Sequence, residues 1–160
     1  CGIIRRGKIH RSLCAFLSTY STFAGIAVML YPASVFTEVI GINIQTMVCH
    51  ASMVVIGIYL LYIGYVKIEF RTIVQALPVF AVAVAIAVCM NEAAYCSGLL
   101  ETDDFNMFMI SPYLESTLPV YSAVQKAVPY PWNLIVYIVG FTVAASIVLL
   151  VAKKVSLIRR

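Results

Sequence analysis

Thr72-Ile-Val-Gln-Ala-Leu-Pro-Val-Phe-Ala-Val-Ala-Val-Ala-Ile-Ala-Val-Cys-Met-Asn91 contains no Asp, Glu, Lys or Arg. An α-helix rises ~1.5 Å per residue and the hydrocarbon core of a bilayer is ~30 Å thick, so a run of this length makes one crossing. Helical backbone also satisfies its own N–H and C=O groups where no water is at hand. Three further windows are equally free of charge: Ser12 to Thr37, Val39 to Val66 and Ala127 to Ala152. The apolar stretch from Phe105 to Leu114 is too short to cross. The sequence therefore predicts an all-α fold, a polytopic membrane helix bundle with four transmembrane helices over about 12–30, 45–65, 73–95 and 132–152. An outer amphipathic loop over 96–131 completes a single membrane domain, 1–160.

Composition excludes the soluble alternatives. Of 160 residues, 62% are hydrophobic and 11% charged, against about half and about a quarter in soluble domains. The basic residues then set the expected orientation, because short loops rich in Lys and Arg stay in the cytoplasm. Arg5, Arg6, Lys8 and Arg11 precede the first span, Lys67 and Arg71 separate the second from the third, and Lys153, Lys154, Arg159 and Arg160 follow the fourth. Only Lys126 falls on the other side, together with Glu38, Glu101, Asp103, Asp104 and Glu115. Both ends of the chain are expected at the cytoplasmic face of a cell membrane. The net charge of +4 is accounted for by this topology and by anionic lipid headgroups, so membrane lipids are the expected partners and no nucleic acid is.

The chain opens on Cys1 and runs at once into a basic segment with no signal-peptide pattern, which leads us to expect further helices of the same protein in front of it. The five cysteines have no metal-type spacing. A disulfide among Cys49, Cys89 and Cys96 is one reading, and isolated buried thiols the other. No metal and no cofactor is expected. Within the spans, Tyr31-Pro32 should end the first, Gly41 and Asn43 belong to an outer turn, and Gly57 and Gly64 form one close-packing face on the second. Pro78 should bend the third span, where Ala83 and Ala87 pack closely, and Gly140 and Ala144 repeat that small-residue spacing on the fourth. In the loop, 118–128 can form a short interfacial helix ended by Pro129 and Pro131, with Tyr121, Tyr130 and Trp132 at headgroup level.

The chemical signal is a small set of polar side chains where lipid should not admit them: His50 in the second span, Asn91 and Glu92 in the third, Asn133 in the fourth. Counted along the expected helices, His50 lies ~6 to 8 Å and Glu92 ~5 Å below the outer surface, and Asn133 begins its span from that surface. Imidazole titrates near neutrality and suits proton transfer. The alternatives are structural: Glu92 snorkelling to the interface, Asn133 capping a helix, His50 bonding a carbonyl. Cys49 and His50, ~100° apart on a helix, are poorly placed to share a metal ion.

The runs Phe23-Ala24-Gly25-Ile26-Ala27-Val28-Met29-Leu30-Tyr31-Pro32, Gly41-Ile42-Asn43-Ile44-Gln45-Thr46-Met47-Val48-Cys49-His50, Asn106-Met107-Phe108-Met109-Ile110-Ser111-Pro112 and Val128-Pro129-Tyr130-Pro131-Trp132-Asn133-Leu134 resemble the YwaF-like integral membrane proteins of bacteria. That family is similar to a eukaryotic transmembrane phospholipid acyltransferase that works with one cysteine and one histidine. The resemblance implies that His50 is the histidine, acting as general base, with Asn91 or Asn106 holding an oxyanion and the outer loop guiding an acyl chain. Ala51 departs from the glycine common after the histidine. The Leu-Pro-Leu-His-Leu-Cys type of segment that carries the family's cysteine is absent from this sequence, so the resemblance also implies that this chain alone is inactive. Two other function classes stand beside the enzyme: a proton- or ion-coupled transporter part using His50 and Glu92, and a non-catalytic assembly subunit.

Overall fold

The computed structural model describes residues 7–97 and 105–158. Cys1, Arg5, Arg6, Glu101, Asp103, Asp104, Arg159 and Arg160, which enter the charge and cysteine patterns of the sequence, lie outside the described residues. Four helices are long and apolar enough to cross a membrane: α1 (Lys8–Leu30), α2 (Ile40–Tyr62), α3 (Phe70–Ser97) and the helix that begins at Trp132. A short helix, α4 (Pro119–Ala127), lies in the loop between α3 and the last helix, α5, which runs over Trp132–Ile158. No strand occurs among the described residues. The chain divides into two compact units, one of residues 1–80 with 141–160 and one of residues 81–140.

In the first unit α1 is wound abnormally. Leu17–Ser21 form a π-helical turn between two α-helical halves. The cause is local. Ser18 Oγ donates to the Cys14 carbonyl at 2.8 Å, Thr19 Oγ1 to Ala15 at 2.7 Å and Thr22 Oγ1 to Leu17, five residues back, at 2.7 Å. Hydroxyls that bond backwards compete for the carbonyls of the ladder and widen the turn. All three are fully buried, as are Tyr20 and Ser21. Tyr20 stacks on Phe80 of α3 at 4.6 Å between ring centroids, and its hydroxyl lies 3.0 Å from Thr142 Oγ1 of α5. Phe141 closes the cluster against Phe23 and Phe80.

Two glycines let α1 and α2 touch. A Cβ on Gly57 would land on Thr22 Oγ1 and lie 2.6 Å from the Leu17 carbonyl; one on Gly25 would lie 2.7 Å from the His50 carbonyl. Gly64 has a different role from the packing one expected of it. With φ +69° it is the left-handed residue after α2, and Tyr65 N–H and Gly64 N–H return to the carbonyls of Leu60 and Leu61, a Schellman closure that suits glycine alone.

The start of α2 also differs from the expected 45. It begins at Ile40, so Gly41 and Asn43 are helical. Asn43 accounts for this by clamping the chain that enters the helix: its Oδ1 accepts from Thr37 N–H and its Nδ2 donates to the Thr37 carbonyl, each at 2.8 Å. The turn-prone side chain is used to hold a turn from inside the helix. Of the described cysteines, Cys14 is buried, whereas Cys49, Cys89 and Cys96 are free and exposed, against the burial expected of them. Gly140, read as part of a close-packing pair, has open space around it.

Candidate functional site

His50 stands ten residues into α2, about 15 Å along the axis, deeper than the sequence expectation because the helix starts earlier. It is half-buried. Its Nδ1 lies 2.7 Å from the Thr46 carbonyl one turn back. A carbonyl only accepts, so Nδ1 is the donor in this bond. No hydrogen bond to Nε2 occurs among the described residues. The bond orients the ring, and it is the carbonyl bond that the structural alternative for His50 expected.

A second imidazole escaped the sequence reading. His10 is buried in α1 together with Cys14. Cys14 Sγ is 4.0 Å from both ring nitrogens, and Tyr65 Oη is 3.3 Å from Nδ1 with the two rings edge to face. A sulfur equidistant from the two nitrogens is aligned with the lone pair of neither; the Cys14 contact lies within α1, and it is the Tyr65 contact that packs α1 against the segment that follows α2.

In the second unit the polar residues organise the loop between α3 and α5. Asn91, 2% exposed, makes a reciprocal pair with one residue: its Oδ1 accepts from Met107 N–H at 2.7 Å and its Nδ2 donates to the Met107 carbonyl at 3.1 Å. Asn106 Oδ1 accepts from Ser111 N–H at 2.8 Å. Between them Phe108 and Met109 hold φ of 59° and 57°, a left-handed conformation that costs a non-glycine residue about 1–3 kcal/mol. Tyr137 Oη donates to the Phe108 carbonyl at 3.2 Å. Gln125 of α4 ties the rest of the loop, accepting from Ser116 N–H and donating to the carbonyls of Ser111 and Leu114. Side-chain bonds thus over-determine a strained turn.

Asn133, second residue of α5, is 3% exposed and its Oδ1 has no partner among the described residues; Tyr121 Oη is likewise buried and unpartnered there. Tyr121 was expected at headgroup level and instead packs edge to face on Tyr137, 5.0 Å between centroids. Trp132 and Tyr130 are exposed. Lys126, the basic residue on the unexpected side, lies 3.4 Å from Glu115, which offsets its charge locally.

Glu92 accepts a 2.7 Å hydrogen bond from Tyr113 Oη, and the Tyr113 ring stacks on Tyr95 at 3.6 Å. The bond to Glu92 pushes the Tyr113 phenol up to about 12 from its ordinary 10. A raised phenol pKa favours the folded protein below pH 10 and ceases to as pH climbs through about 12. In an alkaline absorbance titration Tyr113 should therefore be among the tyrosines that ionise late, and Tyr113→Phe should lower the amplitude of the change near pH 12 by one tyrosine; a late amplitude unchanged by the substitution disproves the anchoring bond.

The description TMEM164 family fits residues 6–153. The chain belongs to the TMEM164 family. No curated protein and no solved structure matches it. As a TMEM164-family member it is an integral membrane protein whose four spans are those described above. Of the residues singled out from sequence, the fold ties Asn91 and Asn106 to one loop turn, joins Glu92 to that loop through Tyr113, buries Asn133 at the start of α5, and puts His50 against α1 in the first unit. The hydroxyl seam of α1 was missed. Its signal was present as Cys14, Ser18, Ser21, Thr22 and Gly25, small residues at the spacing of one helix face.

Proposed function

We propose that this TMEM164-family protein moves an acyl chain between phospholipids, with His50 as general base. The observation that supports the reading is the Nδ1 bond to Thr46, which commits that nitrogen and leaves Nε2 without a partner among the described residues. The resemblance to YwaF-like proteins, and through them to a phospholipid acyltransferase, supports the same assignment. In this scheme Nε2 takes the proton of a cysteine thiol. The thiolate attacks the ester carbonyl of a donor phospholipid, forming a thioester and releasing a lysophospholipid, whose alkoxide takes the proton from the imidazolium. The hydroxyl of a second lysophospholipid then gives its proton to Nε2 and attacks the thioester, and the thiol is regenerated. The basic ends of the spans are taken as cytoplasmic in this reading.

The test uses the intact protein in liposomes that hold a donor phospholipid with an isotope-labelled acyl chain and an unlabelled lysophospholipid. Transfer is read by mass spectrometry. His50→Gln keeps a polar side chain without a titratable ring and is expected to lower transfer on the order of a hundredfold with unchanged helix content. Undiminished transfer in that variant removes His50 from the chemistry. Proton-coupled flux in the same liposomes that vanishes with Glu92→Gln would replace the enzyme by the transporter.

A further inference from the structure

Two polar side-chain atoms in the second unit are buried without a hydrogen-bond partner among the described residues, Tyr121 Oη and Asn133 Oδ1. The two residues are 6% and 3% exposed. They belong to different elements, Tyr121 to α4 and Asn133 to the first turn of α5. Tyr137 brings them into one neighbourhood. It follows Asn133 by four residues, which places both on one face of α5, and the Tyr121 ring packs edge to face on it at 5.0 Å between centroids. Its own hydroxyl is committed to the Phe108 carbonyl at 3.2 Å. The other carboxamides of the unit are committed as well: Asn91 to Met107, Asn106 to Ser111, and Gln125 to Ser111, Leu114 and Ser116. Folded proteins leave few buried polar atoms unbonded, because each has lost its water contacts with no return. Two such atoms beside one ring point to a ligand that they share.

The chemistry of the pair selects that ligand. A carboxamide oxygen only accepts, so the ligand must donate to Asn133. A phenol donates and accepts. Burial, with the Tyr130 phenol nearby, pushes the Tyr121 hydroxyl up from its ordinary 10, so it stays neutral and keeps its proton to give. Of the charged side chains nearest in sequence, Glu92 holds the Tyr113 hydroxyl and Lys126 pairs with Glu115. An ion bound between Tyr121 and Asn133 would be buried without a counter-charge, which is costly. A neutral hydroxyl meets both requirements, giving its hydrogen to the carboxamide oxygen and offering a lone pair to the phenol.

We propose that Tyr121 and Asn133 bind one neutral hydroxyl ligand between α4 and α5, which donates to Asn133 Oδ1 and accepts from Tyr121 Oη. Water supplies such a group, and so does the free alcohol of a glycerolipid. Binding there does not depend on acyl transfer. The test is a double-substitution cycle on the full chain in nanodiscs of diacyl phosphatidylcholine, a lipid without a free hydroxyl. Tyr121→Phe keeps the ring and Asn133→Leu keeps the bulk. Each is expected to lower the unfolding midpoint by about 2–4 °C. The double variant should lose no more than the worse single one, because losing either partner already releases the ligand. Radiolytic labelling reads the same group independently, since radicals formed from a bound water oxidise the side chain it touches. Tyr121 should be oxidised severalfold faster than Tyr20, which is 1% exposed and bonded to Thr142, and Asn133→Leu should abolish the difference. Non-additive losses that arise only when diacylglycerol is added assign the site to a lipid alcohol in place of water. Losses that add in both bilayers overturn the proposal, as do midpoints that stay or rise, the outcome of deleting a hydroxyl that bonds nothing. Non-additive losses in pure phosphatidylcholine with Tyr121 as protected as Tyr20 overturn it too, because water alone supplies a hydroxyl there.

Discussion

Gly57→Leu is expected to leave the protein unable to assemble its first two spans, and Gly57→Ala to destabilise it by about 1–3 kcal/mol. Two effects oppose each other at this position. Alanine is the better helix former by about 1 kcal/mol, which would stabilise α2. Against that, the new Cβ would fall on Thr22 Oγ1 and 2.6 Å from the Leu17 carbonyl. That carbonyl belongs to the π-turn, where Thr22 already bonds to it, so the obstacle is backbone with a fixed neighbour and has no flexible end to swing aside. Sterics should win. Gly140→Ala supplies the control, since a Cβ there meets nothing within 4 Å; it should be neutral or gain up to about 1 kcal/mol. Thermal unfolding of both variants in the same detergent tests the contrast. Thr22→Ala in the Gly57→Ala background should recover part of the loss, because it removes one of the colliding atoms and leaves the carbonyl. A Gly57→Ala protein as stable as the Gly140→Ala protein would mean that α1 and α2 do not approach as closely as described.

The four spans were readable because lipid imposes a blunt requirement, length without charge, and Thr72 to Asn91 meets it residue by residue. The end of α2 was not, since glycine carries two meanings: at Gly57 it makes room for a neighbour, and at Gly64 it adopts the positive φ that ends a helix. Sequence spacing cannot separate these, because room and conformation both depend on what lies opposite. Asn43 misled for a related reason. Its side chain does hold a turn at Thr37, six residues back, while its backbone is helical. The site was readable only as a list of polar residues out of place. What each one bonds to is decided by segments distant in sequence, as with Asn91 and Met107, and no local pattern announces the π-turn that three backward-bonding hydroxyls create.

Asn91→Leu should free the loop between α3 and α5 while the four spans stay folded. The substitution preserves bulk in a side chain that is 2% exposed, so packing in α3 changes little. It leaves the Met107 N–H and carbonyl without the partners they have at 2.7 and 3.1 Å. Each polar group left unpaired under cover costs about 1–3 kcal/mol. The adjacent Phe108 and Met109 sit at φ of 59° and 57°, strain of about 1–3 kcal/mol each that persists only while neighbouring bonds enforce it. Losing the clamp lets both residues relax to ordinary conformations, and the loop gives up the strained turn before it tolerates the unpaired groups. Hydrogen exchange at the amides of 107–111 should therefore rise by on the order of a hundredfold, and protease should cut the loop, with exchange in α1 and α2 unaltered. Asn91→Asp separates the two halves of the clamp: a carboxylate still accepts from Met107 N–H but repels the Met107 carbonyl, so it should fall between wild type and Asn91→Leu. If Asn91→Leu exchanges like wild type at Met107, the reciprocal pair does not hold the loop, and Tyr137 and Gln125 suffice to keep it folded.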